Sequence, residues 1–399
     1  MQNEMILKLL DAHLNKKTLK KQILTLEQWD HLLTKAFEQS ILPLVYENVL
    51  SLIDNNQDKQ YIKQKYNFPV IKEVSLQVQK TETFLKLYKH LYNNGVKPII
   101  VKGLICRNIY PNPDFRVSGD EDIIVSSDQY EKCHKLMLSF PMMSDANDQD
   151  IDIKEEIKYL DERRMLLIEM HKVLFPGESI INTDWNTLFI STYTDTIEMN
   201  INNTPVISLS HSNHMLYLVL HLFKHFLHSG VGIRQVCDIM MYAKTYGKDI
   251  DWEFVLKQCA KVNADYFFIA VLKICNKYLS LDYNEVSIPE TFKSYNIDEK
   301  DLLEDILSGG VYGATDKEEL HGGTYMMNKA KHGHLAIIRT LFPSLKEMQG
   351  KVSYLNDKPY LLPYAWLIRI FDYLRGGHLD AYSKGKQRSE LLKKYKVNK

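Results

Sequence analysis

The chain has 399 residues, enough for two or three domains and a substantial core, and its 45% hydrophobic and 25% charged residues are ordinary for a soluble globular protein. Lys and Arg together number 50, as do Asp and Glu. This balance excludes a global basic field and disfavours a long nucleic acid as the partner, while a local basic groove stays open.

The cysteines and the start of the chain indicate the compartment. Five cysteines are widely spaced, lie mostly in apolar segments and form no C-x-x-C pattern, which predicts reduced core thiols in a cytoplasmic protein. Residues 1–5 lack the basic-then-apolar layout of a signal peptide, and no apolar run approaches the length of a membrane span. We therefore expect no membrane association.

The N-terminal part of the chain has the pattern of helices. Thr25 and Gln28 have the spacing of a capping box, which predicts a helix start. Pro69 predicts a break before a second helix over 71–92, because proline lacks the backbone N–H that a helix interior uses. Gly95 predicts the end of that helix, since glycine adopts the left-handed conformation of a helix cap.

A short, mostly apolar stretch, 97–101, predicts a strand that ends in Lys102 and Gly103 before a helix-compatible segment, 104–110. Glycine after a strand lets a ligand approach the backbone, and free N–H groups at the start of a helix favour a phosphate. Lys102 adds a cation at the same place. We therefore expect an anion-binding turn here.

Two carboxylates lie at the start of the next predicted strand. Asp120 and Asp122 are two residues apart, so in an extended backbone both side chains leave the same face. Adjacent like charges destabilise a fold unless a cation lies between them, and Mg²⁺ is the cation that carboxylates bind together with substrate phosphates. The plain alternative for an isolated D-x-D is a solvated turn before a strand.

A hairpin follows, with strands predicted over 157–160 and 165–171 on either side of a polar turn. Glu169 is the only acid in the second strand, and it shares a face with His171. A buried, isolated glutamate needs a cation or a hydrogen-bond partner. The hairpin thus adds a third acid to the aspartate pair.

The pattern after the hairpin is helical again, with helices predicted over 211–228 and from Asp251 through Tyr266. Two glycine pairs bracket the charged stretch 309–323, which predicts a mobile segment near a site. The tail, 384–399, is strongly basic and predicts a frayed helix end or disorder.

Three histidines share one helical face, because His221, His225 and His228 are spaced i, i+4 and i+7. Such a face can bind a metal ion, but the glutamate of H-E-x-x-H is absent from the sequence, and a packed or substrate-facing surface is the default. Arg234 and Asp238 are also spaced i, i+4, which allows a simple pair on a helix surface.

This order of elements resembles the nucleotidyltransferase superfamily of the DNA polymerase β type and, within it, the bacterial group described as uncharacterised nucleotidyltransferases. The matching segments are Lys102-Gly103, Tyr110-Pro111-Asn112-Pro113, Arg116, Asp120-Glu121-Asp122, Glu169-Met170-His171, 232–239, 250–252 and 361–366. They span roughly residues 20 to 375, with the specific motifs between 97 and 171. Leu104 and Glu121 depart from the pattern, because the superfamily usually has Ser or Gly at the first position and an apolar residue usually stands at the second. Two alternatives follow for the acids: Glu121 lies at the solvated start of its strand, or a different pair of acids binds the metal.

The resemblance implies an α+β fold. Its centre would be a polymerase-β-like nucleotidyltransferase core, a mixed sheet with flanking helices, embedded in mainly helical N- and C-terminal regions. The expected divisions are a helical region over 1–95, the α/β core over 96–185, a helical region over 186–290, and a C-terminal helical region with the basic tail over 291–399.

The resemblance also implies a chemistry, the transfer of NMP from a nucleoside triphosphate to a hydroxyl acceptor with release of pyrophosphate. Asp120, Asp122 and Glu169 would be the catalytic residues and would hold two divalent ions, Mg²⁺ or Mn²⁺. The residues expected to bind the nucleotide are Lys102, Gly103, Arg116, His171 and Arg234.

The acceptor and the activity stay open at this point. Relatives in the superfamily transfer NMP to RNA ends, to aminoglycoside-like small molecules or to protein hydroxyls, and the fold does not choose among them. The neutral net charge favours a small molecule or a protein over a long nucleic acid. The alternatives are a catalytically inactive domain for nucleotide binding or partner interaction, and a toxin that modifies tRNA.

Overall fold

A mixed sheet with helices packed against it forms the centre of the protein. The computed structural model describes residues 2–21, 24–146, 151, 153–175, 184–189, 193–228, 230–308, 342–349, 352, 354–375 and 390–397. Within these residues one sheet of seven strands is present together with many helices. The predicted α+β class is therefore confirmed.

The strands of the sheet are β1 (Ile99–Val101), β2 (Asp120–Ile124), β3 (Met142–Ser144), β4 (Glu156–Asp161), β5 (Leu167–His171), β6 (Thr196–Ile201) and β7 (Thr204–Leu209). Their order in space is β3-β4-β5-β2-β1-β7-β6. Two neighbouring pairs, β2 with β5 and β1 with β7, are parallel. The other neighbouring pairs are antiparallel.

The three central strands bring the predicted site together. Val101 lies opposite Asp122 across the antiparallel pair β1–β2, and Asp122 lies beside Glu169 in the parallel pair β2–β5. Lys102 follows directly after β1. Since neighbouring strands are about 4.8 Å apart, side chains that are far apart in the sequence become neighbours where the end of β1 lies beside the middle of β2 and β5.

The predicted strands β1 and β2 and the hairpin β4–β5 are confirmed. The prediction of a helical region over 186–290 is wrong for β6 and β7, which extend the sheet on the side of β1. Asn202 and Asn203 connect these strands with φ values of 49° and 57°. A two-residue turn with both φ angles positive matches the twist of a hairpin, and asparagine adopts it more readily than most residues.

The helices within the described residues are α1 (Gln2–Leu14), α2 (Leu26–Glu38), α3 (Leu42–Leu52), α4 (Asn56–Asn93), α5 (Gly103–Asn108), α6 (Ser127–Ser139), α7 (His211–His228), α8 (Ile233–Tyr246), α9 (Trp252–Lys261), α10 (Asp265–Leu279), α11 (Glu290–Lys293), α12 (Lys300–Ser308), α13 (Leu345–Gln349), α14 (Tyr354–Asp357) and α15 (Leu362–Arg375). None of them is both long and apolar enough to cross a membrane. The helix predicted over 211–228 is confirmed as α7.

The N-terminal helices agree with the sequence except at Pro69. The Thr25–Gln28 capping box is present, and Gly95 has a φ of 78°, as a left-handed cap requires. Pro69, however, lies inside the continuous helix α4. A proline removes one hydrogen bond from a helix interior, and the neighbouring Tyr66 and Val70 are buried against the core, so packing maintains the helix through the proline.

The C-terminal residues correct a second expectation. Leu392, Tyr395 and Val397 are buried in the main core, and the hydroxyl of Tyr395 donates to the carbonyl of Asp298 at 3.1 Å. The described part of the basic tail is therefore packed, because apolar residues alternate with its lysines. The stretch 309–323, predicted to be mobile, lies outside the described residues.

All five cysteines are free and buried, as the sequence predicts for core thiols. They are Cys106, Cys133, Cys237, Cys259 and Cys275. Burial raises the pKa of each of these thiols above its ordinary value. A buried thiol with a raised pKa is rarely ionised and is chemically inert.

Candidate functional site

Two carboxylates and an imidazole meet on one face of the neighbouring strands β2 and β5. One ligand atom from each of Asp122, Glu169 and His171 lies within 4.8 Å of the others, and His171 Nε2 is 3.4 Å from Asp122 Oδ1. Oxygen ligands suit Mg²⁺, and an added imidazole also suits Mn²⁺. The donor set therefore fits a divalent ion of the kind that the sequence predicts.

Asp120 leaves the same face of β2 as Asp122 but lies at the rim of this cluster. Its side chain is 33% exposed, and its Oδ1 lies 3.9 Å from Lys102 Nζ. Its carboxylate is not part of the compact group, whereas His171 is. The structure thus brings together two of the three predicted acids and adds the histidine.

Lys102 is the buried cation of the site. Its Nζ lies 3.3 Å from Asp122 Oδ2. Burial alone would lower the pKa of this ammonium, but the carboxylates of Asp120 and Asp122 outweigh burial and raise the pKa. Burial alone would raise the pKa of Asp122, whereas Lys102 and His171 hold it far below its ordinary value. Both groups are therefore charged at neutral pH.

His214, on α7, fixes the backbone of Lys102. The Lys102 N–H donates to His214 Nε2 at 2.9 Å, and Lys102 has a φ of 56°, which is uncommon for a residue with a side chain. Burial lowers the pKa of His214 to about 3, so its imidazole is neutral and can accept at any working pH. The sequence analysis missed this residue, because a single histidine in a helix carries no signal of a partner 112 positions away.

Glu121 points to the opposite face of β2 and is a structural residue. Its carboxylate accepts from the Leu104 N–H at 2.8 Å, from Arg107 Nη2 at 2.7 Å and from Ser118 Oγ at 3.1 Å. The side chains of Glu121 and Arg107 are each only 1% exposed. The interpretation of Glu121 as a residue at a solvated strand start is therefore wrong.

The same carboxylate explains Gly103. A Cβ on this residue would lie 2.1 Å from Glu121 Oε2, closer than two atoms can approach, so only glycine fits. The absence of a side chain at Gly103 thus lets the Glu121 carboxylate approach the backbone closely. Since the Leu104 N–H is already bonded to Glu121, that N–H is not free for a phosphate, and the expected anion-binding turn loses one of its donors.

Arg116 is buried in a pair with Asp238 on α8. Its Nε and Nη2 donate to the two carboxylate oxygens at 3.0 and 2.6 Å, and its side chain is 1% exposed. Tyr110 also donates to Asp238, at 2.8 Å. Arg116 therefore anchors its turn to α8, and this position does not fit the predicted contact with the triphosphate.

We expect the double variant Arg116→Met/Asp238→Asn to fold and to bind ATP with Mg²⁺ within about threefold of wild type. Replacing both partners of a buried ion pair leaves no uncompensated charge, and the new amide oxygen can still accept from Tyr110. Isothermal titration calorimetry measures the affinity, and circular dichroism checks the fold. A folded double variant that binds ATP more than tenfold more weakly would instead identify Arg116 as a nucleotide ligand.

Arg234 lies near the site. It does not form the simple pair with Asp238 that its spacing on the helix allows. Its Nη1 donates to the carbonyl of Val117. Burial is the main cause that lowers the pKa of Arg234, the nearby Arg116 lowers it further, and Asp238 and Asp120 oppose this effect. Its guanidinium is thus within electrostatic range of the half-buried Asp120, and its predicted contact with the nucleotide stays a prediction.

Lys158 forms an ion pair with Glu169, and the sequence analysis did not identify this partner. The hairpin register places Lys158 opposite Glu169, and Lys158 Nζ lies 2.6 Å from Glu169 Oε1 and 3.3 Å from Glu156 Oε1. Burial, followed by the nearby aspartates, raises the pKa of Glu169 in spite of this hydrogen bond. Lys158 is the cation that a buried glutamate needs. Counting the hairpin register from its turn could have found it.

Two histidines on one face of α7 contact each other. His221 Nε2 and His225 Nε2 are 2.9 Å apart, and the two rings meet edge to face. One of the two nitrogens must therefore carry the proton of this hydrogen bond. Within the described residues these histidines are not part of a three-ligand metal group, so the predicted default of a packed or substrate-facing surface agrees with the geometry.

A comparison with known proteins finds a family that covers the sheet and helices on both sides of it in the sequence. Residues 25–280 match a family described as uncharacterised nucleotidyltransferase. No curated protein and no solved structure matches the chain. Since the matched residues make up more than half of the chain and include the cluster at β2 and β5, the chain belongs to this family of uncharacterised nucleotidyltransferases.

Proposed function

We propose that the chain transfers NMP from a nucleoside triphosphate to a hydroxyl acceptor, with release of pyrophosphate, as an enzyme of the polymerase-β-like superfamily. The support is the cluster of Asp122, Glu169 and His171 beside the buried Lys102, in a member of a nucleotidyltransferase family. Carboxylates alone would bind many cations. A lysine at the same place adds a charge that suits a phosphate.

Each residue has a distinct part in this proposal. Asp122 and Glu169 would hold two divalent ions, with Asp120 as a further ligand at the rim and His171 as a ligand or as a partner that orients the carboxylates. Such ions lower the pKa of an attacking hydroxyl and neutralise the leaving pyrophosphate. Lys102 stabilises negative charge on the phosphate oxygens as the bond breaks. His214 keeps the backbone of Lys102 in place.

The acceptor in this proposal is a small molecule or a protein. The chain has no excess of basic over acidic residues, and binding to a long nucleic acid relies on many Lys and Arg contacts to phosphates. Within the described residues, the buried arginines Arg107 and Arg116 are committed to carboxylates of the protein. They do not contribute to a basic groove.

The direct test is transfer of label from each of four α-³²P-labelled nucleoside triphosphates into components of a clarified cell lysate, with Mg²⁺ or Mn²⁺ present. We expect label in one acceptor class and a matching release of pyrophosphate. Gel electrophoresis, with and without nuclease or protease, separates labelled RNA, protein and small molecules. The Glu131→Gln variant is a suitable control, because Glu131 is an exposed carboxylate on α6.

The outcomes distinguish the alternatives. Tight binding of a nucleotide without label in any acceptor identifies an inactive nucleotide-binding domain. Label in tRNA, with growth arrest on expression, identifies a toxin. A wild-type protein that neither labels an acceptor nor binds any nucleoside triphosphate contradicts the proposed function.

A further inference from the structure

One face of α7 lies over the acid cluster. Tyr217, His221 and Lys224 are spaced i, i+4 and i+7, so they share that face. Burial raises the pKa of Tyr217 and lowers the pKa of His221, and for both groups Asp122 contributes to the electrostatic environment. The helix that holds the backbone of Lys102 through His214 therefore also forms a wall of the site.

Lys224 is the cation on this wall. It is half-buried, and burial lowers the pKa of its ammonium while Glu156, Asp122 and Glu169 oppose that effect. Lys224 thus lies within electrostatic range of the cluster from α7, whereas Lys102 approaches it from the end of β1. The charge of Lys102 lowers the pKa of Lys224 further.

Lys224 differs from the other cations around the cluster in having no bonded partner. Lys102 lies 3.3 Å from Asp122, and Lys158 lies 2.6 Å from Glu169. Of the buried arginines, Arg107 and Arg116 are paired with carboxylates, and Arg234 donates to a backbone carbonyl. Among the described residues Lys224 forms no hydrogen bond or ion pair. A partly desolvated ammonium without a bonded anion gains more from an incoming anion than a fully exposed one does, because less water has to be displaced.

The charge balance indicates which partner is missing. Two of the three carboxylates near Lys224, Asp122 and Glu169, are the residues that would bind divalent ions in the proposed function, and bound ions would use up their negative charge. The third, Glu156, already lies 3.3 Å from Lys158. Lys224 would then need another anion. A nucleoside triphosphate brings several negative charges to this place, and a lysine binds phosphate oxygens as a compact point charge.

We propose that Lys224 binds the β- and γ-phosphates of the nucleoside triphosphate, opposite Lys102, and so takes the part that the buried Arg116 does not fill. This inference rests on the proposed function. It identifies a triphosphate-binding residue on a helix that is distant in the sequence from the Lys-Gly turn but adjacent to it in the fold. Contact of Lys224 with an acidic group of the acceptor is the competing possibility, which the test separates.

The test compares wild type with Lys224→Met and Lys224→Arg in the full-length protein. The probes are ATP with Mg²⁺, inorganic triphosphate with Mg²⁺, and AMP, measured by isothermal titration calorimetry. We expect Lys224→Met to weaken binding of ATP and triphosphate by about 10- to 100-fold, the effect of one lost charge-assisted contact. AMP binding should stay within about twofold, and Lys224→Arg should retain most of the affinity.

A matched control is Lys135→Met, which removes an exposed lysine on α6 and should leave all three affinities unchanged. Thermal melting monitored by circular dichroism checks the fold of each variant. If wild type binds ATP and triphosphate but folded Lys224→Met binds them equally well, the inference is wrong and the proposed function stands. If the three affinities are unchanged but folded Lys224→Met transfers less label to the acceptor in the lysate assay, Lys224 contacts the acceptor and the inference is again wrong. If wild type binds neither probe, the proposed function itself fails.

Discussion

The Asp122→Asn variant is expected to lose nucleotidyl transfer by on the order of 10³-fold or more, since it removes a charged ligand from the centre of the site. Asp122 is the residue that contacts both Lys102 and His171. An asparagine has nearly the same shape, but it neither attracts a divalent ion strongly nor balances the lysine. Initial rates of pyrophosphate release, measured at several Mg²⁺ concentrations, check this expectation.

Two further variants make the result specific. Asp120→Asn should have a smaller effect, because this carboxylate lies outside the compact group and is partly exposed. Glu131→Gln, in an exposed pair on α6, should have none. A folded Asp122→Asn protein with more than a tenth of the wild-type rate would show that the reaction does not depend on this carboxylate.

The Glu121→Ala variant is expected to destabilise the fold by about 3–5 kcal/mol, the range for removal of one partner from a buried ion pair. Arg107 would keep its charge in a place where its side chain is 1% exposed, and the Leu104 N–H would lose its acceptor. Chemical denaturation with urea, followed by circular dichroism, measures the free energy of unfolding.

The conservative and paired variants define the cause of that loss. Glu121→Gln keeps an oxygen acceptor for the Leu104 N–H and should cost less than Glu121→Ala. The double variant Arg107→Met/Glu121→Leu removes both charges and should be more stable than Glu121→Ala. A Glu121→Ala protein within about 0.5 kcal/mol of wild type, the usual range for surface substitutions, would mean that this pair does not stabilise the fold.

Local signals in the sequence were sufficient for several elements. The capping box at Thr25, the glycine cap at Gly95 and the hairpin that carries Glu169 depend on residues a few positions apart, and the structure contains each of them. The hairpin β6–β7 also had a local signal in Asn202 and Asn203, which was missed. Pro69 failed as a signal because tertiary packing of α4 outweighs one lost hydrogen bond.

The long-range partners of the site residues could not be predicted from the sequence. The sequence shows that Arg116 is a cation near two aspartates, but it does not show that Asp238, more than a hundred residues later, occupies its guanidinium. The contacts of His214 with Lys102 and of Glu121 with Leu104 depend equally on how helices dock onto strands. Residue type and spacing can identify candidates for a site, whereas the partner of each charge is a property of the packed fold.

The three consecutive acids of β2 also create an ambiguity that the protein must resolve while it folds. A slip of one residue in the pairing of β2 would turn Glu121 towards the lysine and both aspartates towards Arg107, with acidic residues still on both faces. Arg107, Ser118 and the Leu104 N–H together form a socket for one long carboxylate. Two shorter aspartates on either side of it would reach this socket poorly. The glutamate between the aspartates thus favours the observed pairing of the strand over a pairing shifted by one residue.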